Sequence, residues 1–320
     1  MNKDNYKKSI DQLPITPDFN ERTARIMKKV MYENKKSNFI TRKLVISIAS
    51  AALIITTGAM AFHYANLTPS KQGTVSENSI TIAKVAIGEN SGKSRMMPLF
   101  VYQGRVYLHY NTAIATTDGY TVTEEDMLNL RGEYLGKTIG SIDEWSKQDD
   151  YATEFASTIG EGEVYTVKGY DSKYRLMVYT KYEGGFSCEI FDSYGGLTLN
   201  TGADYFDLLD LKDHAASYQW ESYNSWNNGM NERVDAVSDE AFDKFLDSLY
   251  ASVPEDITID MFTEKTDYDS QKFIYVRTKD NLITTLRLFK DGYVYAPEVG
   301  FFQVDKTVFD DFYNSLPVNQ

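Results

Sequence analysis

The chain has 320 residues, with 33 Lys and Arg against 46 Asp and Glu, and a net charge of −13. An acidic surface repels polyanions, so this composition argues against nucleic acid as a partner. The one cysteine, Cys188, excludes an intrachain disulfide framework and a cysteine zinc site, and we interpret it as a small buried hydrophobic residue.

An amphipathic helix is predicted at residues 17–33, within an N-terminal segment that covers residues 1–43. Its start is marked either by Thr16 followed by Pro17, or by Asp18 with Glu21 at the spacing of a capping box. One face is apolar and the remainder is basic. The candidate partner-binding residues on the apolar face are Phe19, Ile26, Val30 and Met31. Such a helix either lies on anionic lipid or docks to a cytoplasmic protein.

A transmembrane helix is predicted at Leu44–Phe62, a run of nineteen residues without a charge. At 1.5 Å of rise per residue it spans roughly the 30 Å hydrocarbon core of a bilayer. Residues 1–43 carry a net charge of +6 and the residues after the run carry −19. Because basic residues accumulate on the cytoplasmic side, we expect a single-pass protein of the cell membrane with a cytoplasmic N-terminus and an extracellular C-terminal region.

The alternative is a cleavable signal peptide, because Ala59-Met60-Ala61 has the small-x-small form of a cleavage site. The segment before the apolar run is much longer than an ordinary n-region and contains a helix of its own. The sequence therefore favours retention of the helix in the membrane over cleavage after Ala61.

The extracellular region is predicted to be α+β, with antiparallel meander sheets and packed helices. Its divisions are a stalk with a first strand at 63–95, a first module at 96–212 and a second module at 213–320. The predicted elements are a strand at Ser79–Ile87, a hairpin at Pro98–Tyr110, a helix at Thr123–Leu130, strands at Glu163–Gly169, Tyr174–Tyr182 and Phe186–Phe191, a helix at Asp204–Leu211, a strand at Ser217–Trp226, a helix at Ser238–Tyr250, strands at Lys272–Lys279, Leu282–Lys290 and Tyr293–Ala296, and a helix at Lys306–Leu316.

An internal repeat supports two related modules. Tyr170–Phe191 aligns without a gap on Tyr268–Phe289 at an offset of 98 residues, and seven of the 22 positions are identical. AFDKFLDSLY, from Ala241, also resembles VFDDFYNSLP, from Val308. Two such sheets would form a groove that is a natural ligand site.

The triplet Gly136-Lys137-Thr138 resembles the end of a phosphate-binding loop, but the pattern GxxxxGK[ST] is incomplete. Gly132 stands one residue too close, and Arg131 occupies the position of the first glycine. The segment is also predicted to follow a helix and to form a glycine-rich loop, whereas a phosphate loop joins a strand to a helix. We therefore expect no nucleotide site.

Catalytic and metal motifs are missing from the sequence. The three histidines, His63, His109 and His214, are isolated, and neither an HExxH motif nor a GxSxG motif occurs. We expect a protein that is not an enzyme, with no cofactor and no metal.

The best extracellular binding candidate is an aromatic-rich segment, interleaved with polar residues, that could stack on sugar rings or contact a peptide. The candidate residues are Tyr218, Trp220, Tyr223 and Trp226. In a strand, Tyr218 and Trp220 share one face, so the alternative is that they fill the core.

The layout resembles the membrane-anchored anti-sigma-factor class of Gram-positive bacteria. The inner segment contains LPITPDFNERTARIM, and the outer segments GEYLGKTIGSIDEWSKQDDYA, GEVYTVKGYDSKYRLMVY and LFKDGYVYAPEVGFFQVDKTVFDDFY are similar to those of uncharacterised extracytoplasmic domains with this layout. The resemblance implies an inner segment that holds an extracytoplasmic-function sigma factor until an outside signal releases it.

Many members of that class carry an inner zinc-binding HxxxCxxC motif, whereas residues 1–43 contain neither His nor Cys. The helix at 17–33 is then the element available for a partner. We expect a membrane regulator or sensor with an extracellular ligand, and the alternative is a tethered cell-surface binding or adhesion module whose inner helix rests on lipid.

Overall fold

The structure is a computed structural model of the chain. It describes residues 79–85, 97–110, 112–115, 123–143, 145–256, 270–297 and 299–316. The predicted cytoplasmic helix at 17–33 and the predicted membrane helix at Leu44–Phe62 lie outside these ranges and stay predictions. No helix within the ranges is both long enough and apolar enough to cross a membrane.

The described residues form two main antiparallel sheets with helices, so the predicted α+β class is confirmed. The strands are β1 (Ile80–Thr81), β2 (Leu99–Tyr102), β3 (Arg105–Leu108), β4 (Thr112–Ile114), β5 (Arg131–Lys137), β6 (Glu163–Val167), β7 (Arg175–Tyr182), β8 (Gly185–Asp192), β9 (Thr198–Leu199), β10 (Ala215–Ser222), β11 (Val234–Val237), β12 (Val253–Glu255), β13 (Lys272–Thr278), β14 (Leu282–Phe289), β15 (Tyr293–Ala296) and β16 (Gly300–Gln303). The α-helices are α1 (Glu124–Leu130), α2 (Ala203–Leu209), α3 (Leu211–His214), α4 (Tyr223–Asn227), α5 (Glu240–Tyr250) and α6 (Lys306–Ser315).

The first sheet has six strands in the order β2-β3-β8-β7-β6-β5. Its central strand β7 is buried on both faces. Leu176 and Val178 pack with Phe100 on one face, and Met177 packs with residues of α1 on the other. Because successive side chains of a strand point to opposite faces, this two-sided burial explains the continuous apolar run of residues 176–178 in β7.

The second sheet has eight strands and includes one from the first half of the chain. Its order is β11-β10-β13-β14-β15-β16-β12, with β4 also paired to β14. Leu282 of β14 is opposite Ile114 of β4. Leu282 also joins the cluster that contains Met127 of α1 and Met177 of the first sheet. The two sheets are therefore linked through a shared strand and a shared apolar cluster.

Helices α2, α5 and α6 cover one face of the second sheet. The buried residues of α5, Phe242, Phe245, Leu246 and Leu249, recur at the spacing of one helical face. The Asp239 carboxylate caps this helix by accepting a hydrogen bond from the Phe242 backbone N–H at 2.9 Å. Burying each such side chain stabilises the fold by about 1.5–3 kcal/mol, so packing of these faces is what holds the helices in place.

The repeated segments form equivalent hairpins, β7–β8 in the first sheet and β13–β14 in the second. Their turns differ in length. Tyr182 is opposite Gly185 in the first hairpin, whereas the second turns through Asn281, whose φ is 67°. The ungapped offset therefore does not extend across the turn, and Phe273 is paired with Arg287 rather than with Lys290.

The segment RGEYLGK forms strand β5, so the predicted glycine-rich loop is wrong there. A β-carbon on Gly132 would lie 2.2 Å from Thr166 Oγ1, and one on Gly136 would lie 2.4 Å from the Phe155 ring. Gly132 allows close approach to strand β6, and Gly136 allows close approach to the Phe155 ring. The sequence pattern alone does not distinguish such glycines from those of a loop.

The predicted strand at Ser217–Trp226 ends early, at Ser222, and continues as helix α4. The reason is a local cap, because the Ser222 hydroxyl accepts a hydrogen bond from the Ser225 backbone N–H at 3.2 Å. Of the strand predicted at Ser79–Ile87, residues 79–85 are described, and within them the strand is limited to β1, which pairs with β9. The prediction is wrong for residues 82–85, where Ile82 instead exchanges backbone hydrogen bonds with the turn at Gly196-Leu197.

Residues on both sides of the predicted module boundary, between 212 and 213, share one core. Helix α2 precedes the boundary, yet the rings of Tyr205 and Phe206 lie 5.9 and 4.7 Å from the ring of Phe302 on β16. The second sheet therefore completes its core with side chains that come from before that boundary.

Candidate functional site

The four predicted aromatic residues are divided between the two faces of the second sheet. Tyr218 and Trp220 lie on the helix-covered face and are each 4% exposed. The Tyr218 ring stacks on Phe242 with centroids 4.4 Å apart. Both residues therefore occupy the core, which is the alternative that strand geometry raised for them.

Tyr223 and Trp226 belong to α4 and lie on the opposite face. The Trp226 ring stacks on Phe273 at 4.2 Å with an interplanar angle of 15°. Phe273 follows the strand alternation, since its neighbour Ile274 is in the helix-covered core. Tyr223 and Trp226 are therefore the half of the predicted aromatic set that lies outside the helix-covered core, and both are partly buried.

An arginine of the same sheet lies among these rings. The guanidinium carbon of Arg287 is 5.6 Å from the centroids of both Tyr223 and Trp226. Gln271 Oε1 accepts a hydrogen bond from Arg287 Nε at 2.6 Å, which orients the guanidinium. A cation–π contact stabilises by about 0.5–2 kcal/mol, so these faces already contact an internal cation.

A buried carboxylate fastens α4 to the sheet. Glu221 is 1% exposed, and its carboxylate accepts hydrogen bonds from Ser225 Oγ at 2.7 Å and from the Tyr275 hydroxyl. Arg233 Nε lies 3.8 Å from the same carboxylate. Burial, followed by the hydrogen bond to Glu221, raises the pKa of Tyr275 well above its ordinary value. Glu221 and its three partners therefore form a network with a structural role, in which the buried carboxylate has its hydrogen bonds.

A cationic pocket of about 240 Å³ lies beside β1, β3 and the start of β7. We define the cationic pocket by the residues that line it, which are Lys84, Arg105, Lys173, Tyr174, Gly195, Gly196, Leu197 and Thr198. Three of these eight residues are cations, in a region whose net charge is −19. No carboxylate forms an ion pair with Lys84, Arg105 or Lys173 among the described residues.

Two glycines allow the wall of the cationic pocket to close. A β-carbon on Gly195 would lie 3.2 Å from the Cα of Lys84, and Gly196 has a φ of +85°, which favours glycine. The Gly196 backbone N–H donates to the Ile82 carbonyl at 2.8 Å. These contacts hold the backbone of Lys84 against the turn after β8.

Tyr174 and a backbone carbonyl position two of the three cations. The Arg105 guanidinium carbon lies 5.6 Å from the Tyr174 ring centroid, and Lys173 Nζ lies 5.0 Å from it. Arg105 Nη2 also donates to the Ser193 carbonyl at 2.9 Å. Arg105 Nε is buried and has no hydrogen-bond acceptor, so the guanidinium keeps one unused donor.

The described residues include no group of three or more His, Cys, Asp and Glu side chains arranged to hold a metal ion. Cys188 is buried, and burial raises the pKa of its thiol to about 12. The thiolate that nucleophilic chemistry needs is therefore scarce at neutral pH. His109 and His214 contact separate partners, the Ile190 carbonyl and the Asp210 carboxylate.

The Gly-Lys-Thr triplet lies at the end of β5 and beyond. Lys137 Nζ is 3.7 Å from a Glu163 carboxylate oxygen, and the Thr138 hydroxyl donates to the Gly160 carbonyl at 2.6 Å. The triplet therefore ends a strand and contacts neighbouring residues of the sheet, whereas a phosphate loop leads into a helix whose N-terminus faces the phosphate.

The residues of the cationic pocket were not predicted from the sequence. Lys84, Arg105 and Lys173 come from three distant segments, and no spacing connects them. The one local signal is the Gly195-Gly196 pair, which marks a close backbone approach but says nothing of charge. The predicted partner-binding residues Phe19, Ile26, Val30 and Met31 lie outside the described residues.

Comparison with protein-family models, with curated proteins and with solved structures finds no match for this chain.

Proposed function

We propose that this chain is a single-pass membrane regulator whose extracellular region binds an envelope signal and whose N-terminal segment contacts a cytoplasmic partner. The observation that carries the proposal is the charge asymmetry around Leu44–Phe62, with +6 before the apolar run and −19 after it. Such asymmetry is typical of a helix that stays in the membrane with its N-terminus inside.

The cytoplasmic contact is proposed for the apolar face of the helix at 17–33. A face made by Phe19, Ile26, Val30 and Met31 fits a groove on a folded partner, in the manner of an amphipathic helix that binds through one stripe. The resemblance to anti-sigma factors makes a sigma factor the preferred partner.

The extracellular region supports a binding role through the cationic pocket. Packing alone gives no reason for three cations to line one cavity without a paired carboxylate among the described residues. A buried arginine N–H that has no acceptor is also unfavourable. The equivalent hairpins β7–β8 and β13–β14 further support two modules that arose by duplication, with a longer turn in the second.

The test is co-purification of the full-length protein from detergent extracts, with Ile26→Asp or Val30→Asp as the disrupting variants. Either substitution places a charge in the apolar face, and we expect the cytoplasmic partner to be lost. Lys28→Ala is the matched control, because it changes the net charge by the same amount on the opposite face. If the same protein is recovered with every variant, or none with the unaltered chain, docking is excluded.

Deletion of residues 1–36 separates this proposal from a tethered adhesion module. A regulator loses its transcriptional effect on deletion, because its inner contact is gone. If the surface role persists and transcription is unchanged, the regulatory proposal is wrong and the inner helix only rests on lipid.

A further inference from the structure

The cationic pocket brings three cations to one cavity, and none of them forms an ion pair with a carboxylate among the described residues. Lys84, Arg105 and Lys173 come from segments far apart in the chain and line one small cavity. Like charges that converge repel one another. Asp171, the acid nearest to Lys173 in the sequence, accepts a hydrogen bond from the Lys173 backbone N–H at 2.8 Å and forms no ion pair with its ammonium group. A bound anion would relieve the repulsion.

We infer that the cationic pocket binds the phosphate group of an envelope ligand, as a phosphomonoester or a phosphodiester. This rests on the proposed function only in taking the pocket as the place where the signal is bound. Arginine and lysine together are suited to phosphate, because the guanidinium presents a fork of donors and the ammonium adds point charge. Arg105 lines the pocket together with the two lysines, and the Ser193 carbonyl holds its guanidinium in place by accepting from Nη2 at 2.9 Å.

The size and surroundings of the pocket narrow the ligand. A volume of about 240 Å³ is below the usual range of roughly 300–1,000 Å³ for sites that hold drug-sized molecules. It accommodates one phosphate group with a small substituent. The residues after the apolar run carry a net charge of −19, which repels an extended polyanion such as nucleic acid. A compact anion is affected less, because salt screens charges beyond about 8 Å.

The tyrosine and the glycines have separate roles in this site. Tyr174 contacts the heads of Arg105 and Lys173 through its ring, so it holds two cations in place without neutralising them. Gly195 and Gly196 bring the Lys84 backbone to the opposite segment. A side chain at Gly196 would meet Lys84 Cε at 3.0 Å, so glycine there keeps room for the third cation.

The test is calorimetric titration of the full-length chain in a neutral detergent. The probes are inorganic phosphate, glycerol 3-phosphate and a short poly(glycerol phosphate), and acetate and succinate are the control anions. We expect phosphate to bind more tightly than either carboxylate, with binding weakened by salt. The monoester and the polymer distinguish a free phosphate ligand from a phosphodiester of the envelope, and binding of either one supports the inference.

Four variants assign the binding to the pocket. Lys84→Gln and Arg105→Gln should each weaken phosphate binding about tenfold or more, the effect of losing one charge-assisted contact. Arg105→Lys keeps the charge but not the fork, and it should lie between Arg105→Gln and the unaltered chain. Lys290→Gln removes the same charge from an exposed turn and should bind as the unaltered chain does.

Three results would overturn the inference: no phosphate binding at millimolar concentration, tighter binding of a carboxylate, or equal binding by Lys84→Gln and Lys290→Gln. Lys84 is exposed, so its substitution leaves the fold intact and the outcome remains interpretable. Co-purification of the cytoplasmic partner does not depend on these variants. Failure of phosphate binding is therefore distinguishable from failure of the regulatory proposal.

Discussion

At the scale of single residues, the most consequential interaction is a buried ion pair between neighbouring strands. Arg175 and Asp192 are each 1% exposed. Arg175 Nε and Nη2 donate to the two carboxylate oxygens at 2.8 and 3.0 Å. Arg175 Nη2 also donates to Thr112 Oγ1 at 2.9 Å. Since Thr112 begins β4, the pair connects the first sheet to a strand of the second.

Asp192→Asn should lower the free energy of unfolding by about 3–5 kcal/mol, because it leaves the buried Arg175 charge without its partner. The double variant Arg175→Met, Asp192→Leu should recover much of that loss, since it removes both charges. Urea denaturation measures each value.

The matched control is Asp247→Asn, which breaks an exposed pair with Lys212 at 2.7 Å. Its urea midpoint should stay close to that of the unaltered chain, because solvent screens an exposed pair. Equal effects of Asp192→Asn and Asp247→Asn would show that burial does not determine the strength of the pair.

At the scale of elements, helices with a clear apolar face were predictable. Helices α5 and α6 match their predicted ranges within a few residues, because packing on the sheet follows the same periodicity that the sequence displays. The hairpin predicted at Pro98–Tyr110 is also confirmed, since β2 pairs with β3 around a turn at Gln103-Gly104, where both residues have positive φ, 50° and 68°.

Elements that depend on tertiary contacts were not predictable. The glycines of β5 suggest a loop when only the local sequence is considered. Their actual reason is close packing against Thr166 and Phe155, which are distant in the chain. Helix α4 was missed because the strand-forming segment is interrupted by the Ser222 cap. The glycine contacts of β5 lie outside any local pattern. The cap of α4 is local, since it joins Ser222 to Ser225, but it lies in a segment rich in strand-forming aromatic residues.

Gly202→Ala should destabilise the protein, because α2 begins against the end of α5. A β-carbon there would lie 2.0 Å from the Leu249 carbonyl oxygen and 2.6 Å from Ser252 Oγ. Backbone must move to relieve the first contact, at a cost of about 1–3 kcal/mol. Thermal unfolding reports the change as a lower Tm.

Gly160→Ala is the control for that substitution, because a β-carbon at Gly160 has no neighbour within 4 Å. Its stability should remain within about 0.5 kcal/mol of the unaltered chain. A Tm for Gly202→Ala as high as that of Gly160→Ala would contradict the close approach of α2 and α5.

At the scale of the whole molecule, two features act over long distances in the chain. Strand β4 comes from between β3 and α1 and pairs with β14, so the two sheets are built together. The cationic pocket gathers Lys84, Arg105 and Lys173 from three segments. No single segment encodes either feature, which is why the sequence predicted antiparallel sheets but not this site.

The predicted aromatic site shows the same limit. Strand alternation indicated that Tyr218 and Trp220 share a face, and they do. Which face is covered depends on α5 and α6, which follow later in the chain. Tyr223 and Trp226 then fall on the other face, where they contact Arg287.

The central claim is the orientation of the chain across a membrane, and thiol labelling of intact cells tests it most directly. In a Cys188→Ala background, Lys36→Cys places a thiol in the N-terminal segment and Asp149→Cys places one at an exposed position of the region after the apolar run. A membrane-impermeant reagent should label Asp149→Cys in intact cells, and Lys36→Cys only after the membrane is opened. Labelling of Lys36→Cys in intact cells, or protection of Asp149→Cys, would contradict a cytoplasmic N-terminus with an extracellular sensor.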